Sequence, residues 1–223
     1  NCWNSCKLAS CSDRPTATIP TSEISPPMPD AKQIILAAIR RHHLSEAPLP
    51  SLDQAWIEYP DPHAQFSAVL ESVGGRAVFV ADIPALNSEL AALPTWAEAK
   101  KTVSLVEGVR GNVELAQLDD PHATEDIDFA ILPGEFAVAE NGAVWITDTA
   151  VKHRAIYFIA QHLALVVSVR EIVSNMHEAY RRLSFASPRF GAFISGPSKT
   201  ADIEQSLVIG AHGPRSMTVF VVG

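Results

Sequence analysis

Apolar residues recur along this chain with two periods. Ile34, Ile35, Ala38 and Ile39 share one face of a 3.6-residue repeat, and Asp30 just ahead of them is suited to cap a helix. Phe66, Val69, Leu70 and Val73 repeat that spacing after Asp61-Pro62, a helix-start pair, and Gly74-Gly75 stops the run. Residues 76–80 (RAVFV) read as a buried strand, 84–93 as a helix and 103–106 as another short strand. This alternation predicts an α/β domain with a mainly parallel sheet flanked by helices.

The middle of the chain reads differently. Residues 128–132, 136–139, 143–147 and 163–169 are short β-type runs separated by turn signals at Pro133-Gly134 and Asn141-Gly142, the latter a strong hairpin signal. A β-rich central insertion is therefore expected. Helical spacing returns over 170–183, where Ile172, Val173, Met176, Ala179, Tyr180 and Leu183 share a face. A strand at 190–195, a helix at 200–209 ended by Gly210, and a closing strand at 217–222 complete the expected elements. No internal repeat is visible.

Residues 1–29 hold Pro15, Pro20, Pro26, Pro27 and Pro29 among Ser and Thr with few large apolar side chains, and read as a flexible leader to an α/β domain over 30–223. All three cysteines, Cys2, Cys6 and Cys11, lie in this leader, without a fourth ligand that would make a metal set. No metal or other cofactor is expected. Seventeen Lys and Arg against 25 Asp and Glu give a formal charge of −8. That balance repels phosphate backbones and argues against nucleic-acid binding, while leaving room for a local pocket that holds one small anion. The longest apolar run, 155–169, is interrupted by Gln161 and His162 and is too short to span a bilayer, which takes about 20 residues. No signal peptide is readable, so a soluble, cytoplasmic protein is expected.

Candidate chemistry is concentrated near the C-terminus. The string Ser195-Gly196-Pro197-Ser198-Lys199-Thr200-Ala201-Asp202-Ile203-Glu204 follows a predicted strand and opens a predicted helix. Gly196 allows close backbone approach, Ser198 and Thr200 carry hydroxyls, Lys199 carries a point charge, and the first N–H groups of a helix lack internal partners. Together these suit a small anion. The same residues also read as an ordinary helix cap, with Asp202 and Glu204 favouring the helix dipole. Glu140 stands at the tip of the Asn141-Gly142 turn, a rigid position for a nucleophile or general base, or simply an exposed turn carboxylate. In the string 211–215, His212 is a candidate proton donor and Arg215 a candidate anion partner beside Gly213. His153, Arg154 and His162 are secondary candidates. Zinc-protease, serine-hydrolase and dinucleotide-binding motifs are absent.

Ser195 to Glu204, followed by Gly210-Ala211-His212-Gly213-Pro214, resembles the C-terminal signature of the LUD-domain family of lactate-utilisation proteins. Ala139-Glu140-Asn141-Gly142 stands where many members carry A-E-T-G-T, and Lys199 stands where Arg is common, which keeps the charge but loses the bidentate fork. The resemblance covers roughly residues 30–223. It implies a NagB/RpiA/CoA-transferase-like fold and association with lactate oxidation through a multi-protein complex whose iron–sulfur subunits carry clustered cysteines. The cysteine-free body of this chain then resembles the cluster-free component. Glu140-Asn141-Gly142 is also similar to the S-E-N-G string of CoA transferases, whose Glu forms an acyl anhydride.

Two functions follow. One is a cluster-free accessory subunit that binds a small anionic metabolite at the 195–204 loop, with Ser195, Gly196, Ser198, Lys199, Thr200, Asp202, Asn141, Gly142, Gly213 and Arg215 as ligand-binding candidates. The alternative is an enzyme acting on an acyl-CoA or phosphorylated small molecule, with Glu140 as nucleophile or base and His212 assisting proton transfer.

Overall fold

A computed structural model describes residues 30–42, 48–149, 151–184, 190–201 and 207–223. The expected leader over 1–29, with its cysteines, lies outside the described residues, as does Asp202. The chain divides into two compact units, 1–52 and 53–223. In the first, helix α1 (Ala31–Arg41) starts where Asp30 accepts the Lys32 N–H at 3.2 Å. The sheets belong to the second unit.

Its centre is a five-stranded, all-parallel sheet in the order β1 (Arg76–Val80), β11 (Ser216–Val222), β6 (His162–Ser168), β3 (Phe129–Pro133), β2 (Thr102–Ser104). The inner strands β11, β6 and β3 are buried on both faces and read as near-continuous apolar runs, whereas edge strand β1 exposes Arg76 and Phe79. Side chains still alternate. Phe129, Ile131, Ala164 and Phe220 face one layer, where α3 (Ile83–Ala92) contributes Leu86 and Leu90 and α4 (Pro94–Ala97) contributes Trp96. Ala130, Leu132, Leu163, Leu165, Val219 and Val221 face the other layer, against Phe66 and Leu70 of α2 (Pro62–Ser72) and Ile156 and Tyr157 of α5 (Ile156–Ile159).

That second layer also holds a four-stranded sheet ordered β7 (Ile172–Val173), β4 (Phe136–Val138), β5 (Ala143–Thr147), β8 (Gly191–Ile194). Its inner face supplies Ala137, Val144 and Ile146 to the common core. Its outer face packs Phe136, Val138 and Val173 with Ala179 of α6 (Met176–Arg182). The architecture is the expected mainly parallel α/β sheet flanked by helices. The β-rich insertion is narrower than the sequence suggests, because 129–133 and 162–168 enter the parallel sheet and the second sheet is completed by later segments.

Two expected helices need correction. The helix expected over 170–183 begins only at Met176, because β-branched Ile172 and Val173 pair with Ala137 and Val138 as an edge strand. The start signal is Asn175, whose Oδ1 accepts the Glu178 N–H at 3.0 Å while Glu178 Oε2 accepts from the Ser174 N–H at 3.0 Å, a reciprocal cap. The helix expected over 200–209 is absent at every described position. Lys199–Ala201 (β9) and Leu207–Ile209 (β10) instead pair antiparallel, with Thr200 opposite Val208. The hairpin is closed by Gly210 at φ +74°, whose N–H donates to the Ser198 carbonyl at 2.8 Å.

Leu70 is fully buried at the junction of α2 with the core. Leu70→Ala is expected to lower unfolding stability by about 2–5 kcal/mol in denaturant titration, the range for a large-to-small change that leaves a cavity.

Candidate functional site

One end of the four-stranded sheet collects the conspicuous strings. Because β5 runs antiparallel to β8, with Val144 opposite Ile194, the Asn141-Gly142 turn that opens β5 lies beside Ser195, which follows β8. Ser195 Oγ donates to the Asn141 carbonyl at 2.8 Å and locks the two loops together. Both press onto the last turn of α2. Gly142 (φ +64°) comes so close that a Cβ there would stand 2.9 Å from the Leu70 nitrogen. Gly196 (φ +73°) would place one 2.6 Å from the Val73 carbonyl oxygen. Both positions demand glycine on two counts, left-handed backbone and lack of room.

Lys199 plays a different part from that expected. Its Nζ donates to the carbonyl of Val73, the C-terminal cap residue of α2, so its charge serves a helix end whose last carbonyls lack internal partners. With β9 in place of a helix start, the anticipated helix N–H groups are absent over 198–201, the described part of that string. Thr200 lies in the hairpin opposite Val208.

Ser198 connects this loop to the second string. Its N–H donates to the Pro214 carbonyl at 2.9 Å. Gly213 is wedged where a Cβ would stand 2.8 Å from the Phe158 carbonyl oxygen and 2.9 Å from Ser198 Cβ. A cavity of about 280 Å³ opens between the strings, and its walls include Ser195, Gly196, Ser198, His212 and Gly213. Tyr157, Phe158 and Phe193 add aromatic surface, and no carboxylate is among the described walls. The Tyr157 hydroxyl is turned away, donating to the Pro133 carbonyl at 3.3 Å with the Thr147 carbonyl at 3.4 Å as second acceptor. Burial, reinforced by Glu135 and Asp148, pushes it far above the ordinary phenol range. Sequence reasoning missed these aromatic walls; their trace was the apolar run at 155–169 for Tyr157 and Phe158 and the expected strand at 190–195 for Phe193.

The remaining candidates separate. Glu140 lies outside the cavity wall, and its Oε2 accepts the Met176 N–H at 2.8 Å at the start of α6. His153 Nε2 donates to the Leu118 carbonyl at 2.6 Å, and Arg154 lies over the Phe190 ring at 5.0 Å. Arg215, although adjacent to Pro214, faces a second cavity of about 480 Å³ at the N-terminal edge of the parallel sheet. His162 faces it too, its Nδ1 2.8 Å from Ser216 Oγ. Burial lowers the basicity of His162 and Arg215 lowers it further, against a smaller opposing pull from Asp128. Among the described residues, no cluster of three or more His, Cys, Asp or Glu side chains is placed to hold a metal ion, and no helix is long and apolar enough to cross a membrane.

The family model for the LUD domain matches residues 30–222. The chain belongs to the LUD-domain family. Curated relatives carry the name Lactate utilization protein C. That of Shouchella clausii is 32% identical over 103 residues, 44% of this chain and 45% of the relative. That of Geobacillus kaustophilus is 29% identical over 158 residues, 67% and 63% of the two chains. The chain thus spans about half the length of the curated relatives it matches. The fold is similar to the crystal structure of a DUF162 family protein from Deinococcus radiodurans, with TM-score 0.53 at 19% identity over 73% of this chain and 96% of the other. Residues 195–198 and 212–214, which wall the 280 Å³ cavity, lie within the matched span.

Gly196→Ala is expected to cost more than about 2 kcal/mol in chemical denaturation, since strain at positive φ adds to the clash with the Val73 carbonyl. His162 gives a pH signature. Its folded-state affinity for a proton lies below the free value of 6.5, so as pH falls through that value the unfolded chain takes up the proton first and the fold loses stability. Above it, the contribution is fully present. Melting temperature is expected to fall less between about pH 7 and pH 5 in His162→Gln than in the parent chain.

Proposed function

We propose that this LUD domain is a cluster-free accessory component of a lactate-utilisation system, and that it binds a small carboxylate metabolite in the cavity between the 195–198 loop and the 212–214 string. The system is suggested by family membership and by the name of the curated relatives. The cluster-free role fits a chain with no cysteine beyond Cys11. Iron–sulfur subunits of a lactate-oxidising complex are the expected protein partners.

The observation that carries the ligand assignment is the composition of the cavity. Ser198 and His212 offer hydroxyl and imidazole groups, and no acidic wall repels an anion. The N–H groups of Gly196, His212 and Gly213 make no hydrogen bond among the described residues, and such unpaired main-chain donors suit a carboxylate. The aromatic walls limit the non-polar part of the ligand to a few carbons, in keeping with about 280 Å³. With Lys199 engaged at the end of α2, recognition rests on hydrogen bonds rather than on an ion pair with that lysine. Binding is favoured over chemistry at Glu140, whose carboxylate is engaged at the start of α6.

A thermal-shift series with L-lactate, pyruvate, inorganic phosphate and acetyl-CoA tests this. Lactate or pyruvate at about 100 times its dissociation constant is expected to add about 2.7 kcal/mol of stability, and His212→Ala or Ser198→Ala is expected to weaken that effect. A panel in which no carboxylate shifts the melting temperature would refute the ligand assignment, as would a shift unaffected by both substitutions.

A further inference from the structure

The larger cavity, about 480 Å³, shares no wall with the one just discussed. It is framed by segments that meet at the N-terminal edge of the parallel sheet: Glu98 after α4, Asp126 and Asp128 before β3, Gln161 and His162 at the start of β6, and Arg215 before β11. Its charges are left incompletely paired. Asp128 Oδ2 accepts the N–H groups of Lys100 and Lys101 at 2.8 and 2.9 Å, while its other oxygen has no partner among the described residues. Asp126 is paired with Lys101. Glu98 and the Arg215 guanidinium each lack an ion pair and a side-chain hydrogen bond among the described residues, although both face the same space.

This distribution discriminates between ligand classes. A simple anion would meet Arg215 but also three carboxylates, and a simple cation would meet those carboxylates but also Arg215. A metal ion lacks a cluster of donors, since the carboxylates are spread around the space rather than converging. A molecule carrying both charges satisfies both walls: a carboxylate suits the planar fork of Arg215, and an ammonium group suits Glu98 and the free oxygen of Asp128. Gln161 and Thr95 add neutral hydrogen-bonding groups. The half-buried His162 imidazole, already bonded to Ser216, adds no firm positive charge to oppose the ammonium.

We propose that this cavity is a binding site for a small zwitterion of the amino-acid class, separate from the carboxylate site of the preceding reading and independent of it. Calorimetric titration of the whole chain with the standard amino acids, β-alanine and γ-aminobutyrate, and with propylamine and propionate as single-charge controls, tests the assignment. At least one zwitterion is expected to bind about tenfold more tightly than either control. Arg215→Ala is expected to weaken that zwitterion about tenfold without weakening propylamine, and Glu98→Gln to weaken it without weakening propionate. Both side chains are exposed, and the circular dichroism spectrum of each variant reports that the fold is kept. The proposal is overturned if no zwitterion binds below about 10 mM, if a single-charge control binds as tightly, or if binding is indifferent to both substitutions.

Discussion

The site depends on how closely two loops approach the last turn of α2. Gly142 and Gly196 bring their backbones to within a Cβ's reach of Leu70 and Val73, and Lys199 extends over the Val73 carbonyl. A helix end presents carbonyls without internal partners, so a lysine and a glycine-bearing loop are a favourable covering for it. The cost is strict steric demand at both glycines. In return, the two loops are held against an element whose Phe66 and Leu70 are anchored in the core.

From that support the site builds outward. Ser195 ties its loop to the Asn141 turn, Ser198 ties it to Pro214, and Gly213 sits between Ser198 and the Phe158 carbonyl. The small cavity is the space these ties leave, walled on one side by Tyr157 and Phe158 of the short α5 region and on the other by Phe193 of β8. The walls thus come from α5, from β8 and from the segments that leave β8 and lead into β11, with Ser195 and Ser198 tied by hydrogen bonds. Walls tied in this way keep the ordering cost low for the small ligand proposed above. The zwitterion site has a different basis. It lies at the edge of the parallel sheet, where strand starts deliver His162, Arg215 and Asp128 side by side.

Much of this was legible in the sequence, and the exceptions have physical causes. The Phe66 helix, the RAVFV strand and the Asn141-Gly142 hairpin follow from periodicity and turn chemistry. The helix expected at 200–209 was misread because Thr200 followed by acidic residues looks like a cap; Thr200, Val208 and Ile209, β-branched at its two ends, pair as a hairpin instead. In 170–183, a valid helical period extended through Ile172 and Val173, which the edge of β4 recruited as a strand. The roles of Lys199 and Glu140 were not legible at all. Each charge is directed to a helix end distant in sequence, Val73 for one and Met176 for the other, and spacing along the chain carries no information about such meetings. Arg215 likewise parts from His212: its N–H donates to the Gln161 carbonyl at 2.8 Å, which sets it at the other cavity.

The most direct measurement of the central claim is a residue-resolved nitrogen–proton NMR titration of the chain with L-lactate and with pyruvate. Saturable shifts of the Gly196, Ser198, His212 and Gly213 amide signals, with those of Glu140 and Lys199 little changed, are the result this account expects. Shifts confined to other regions, or none from either acid, would contradict it.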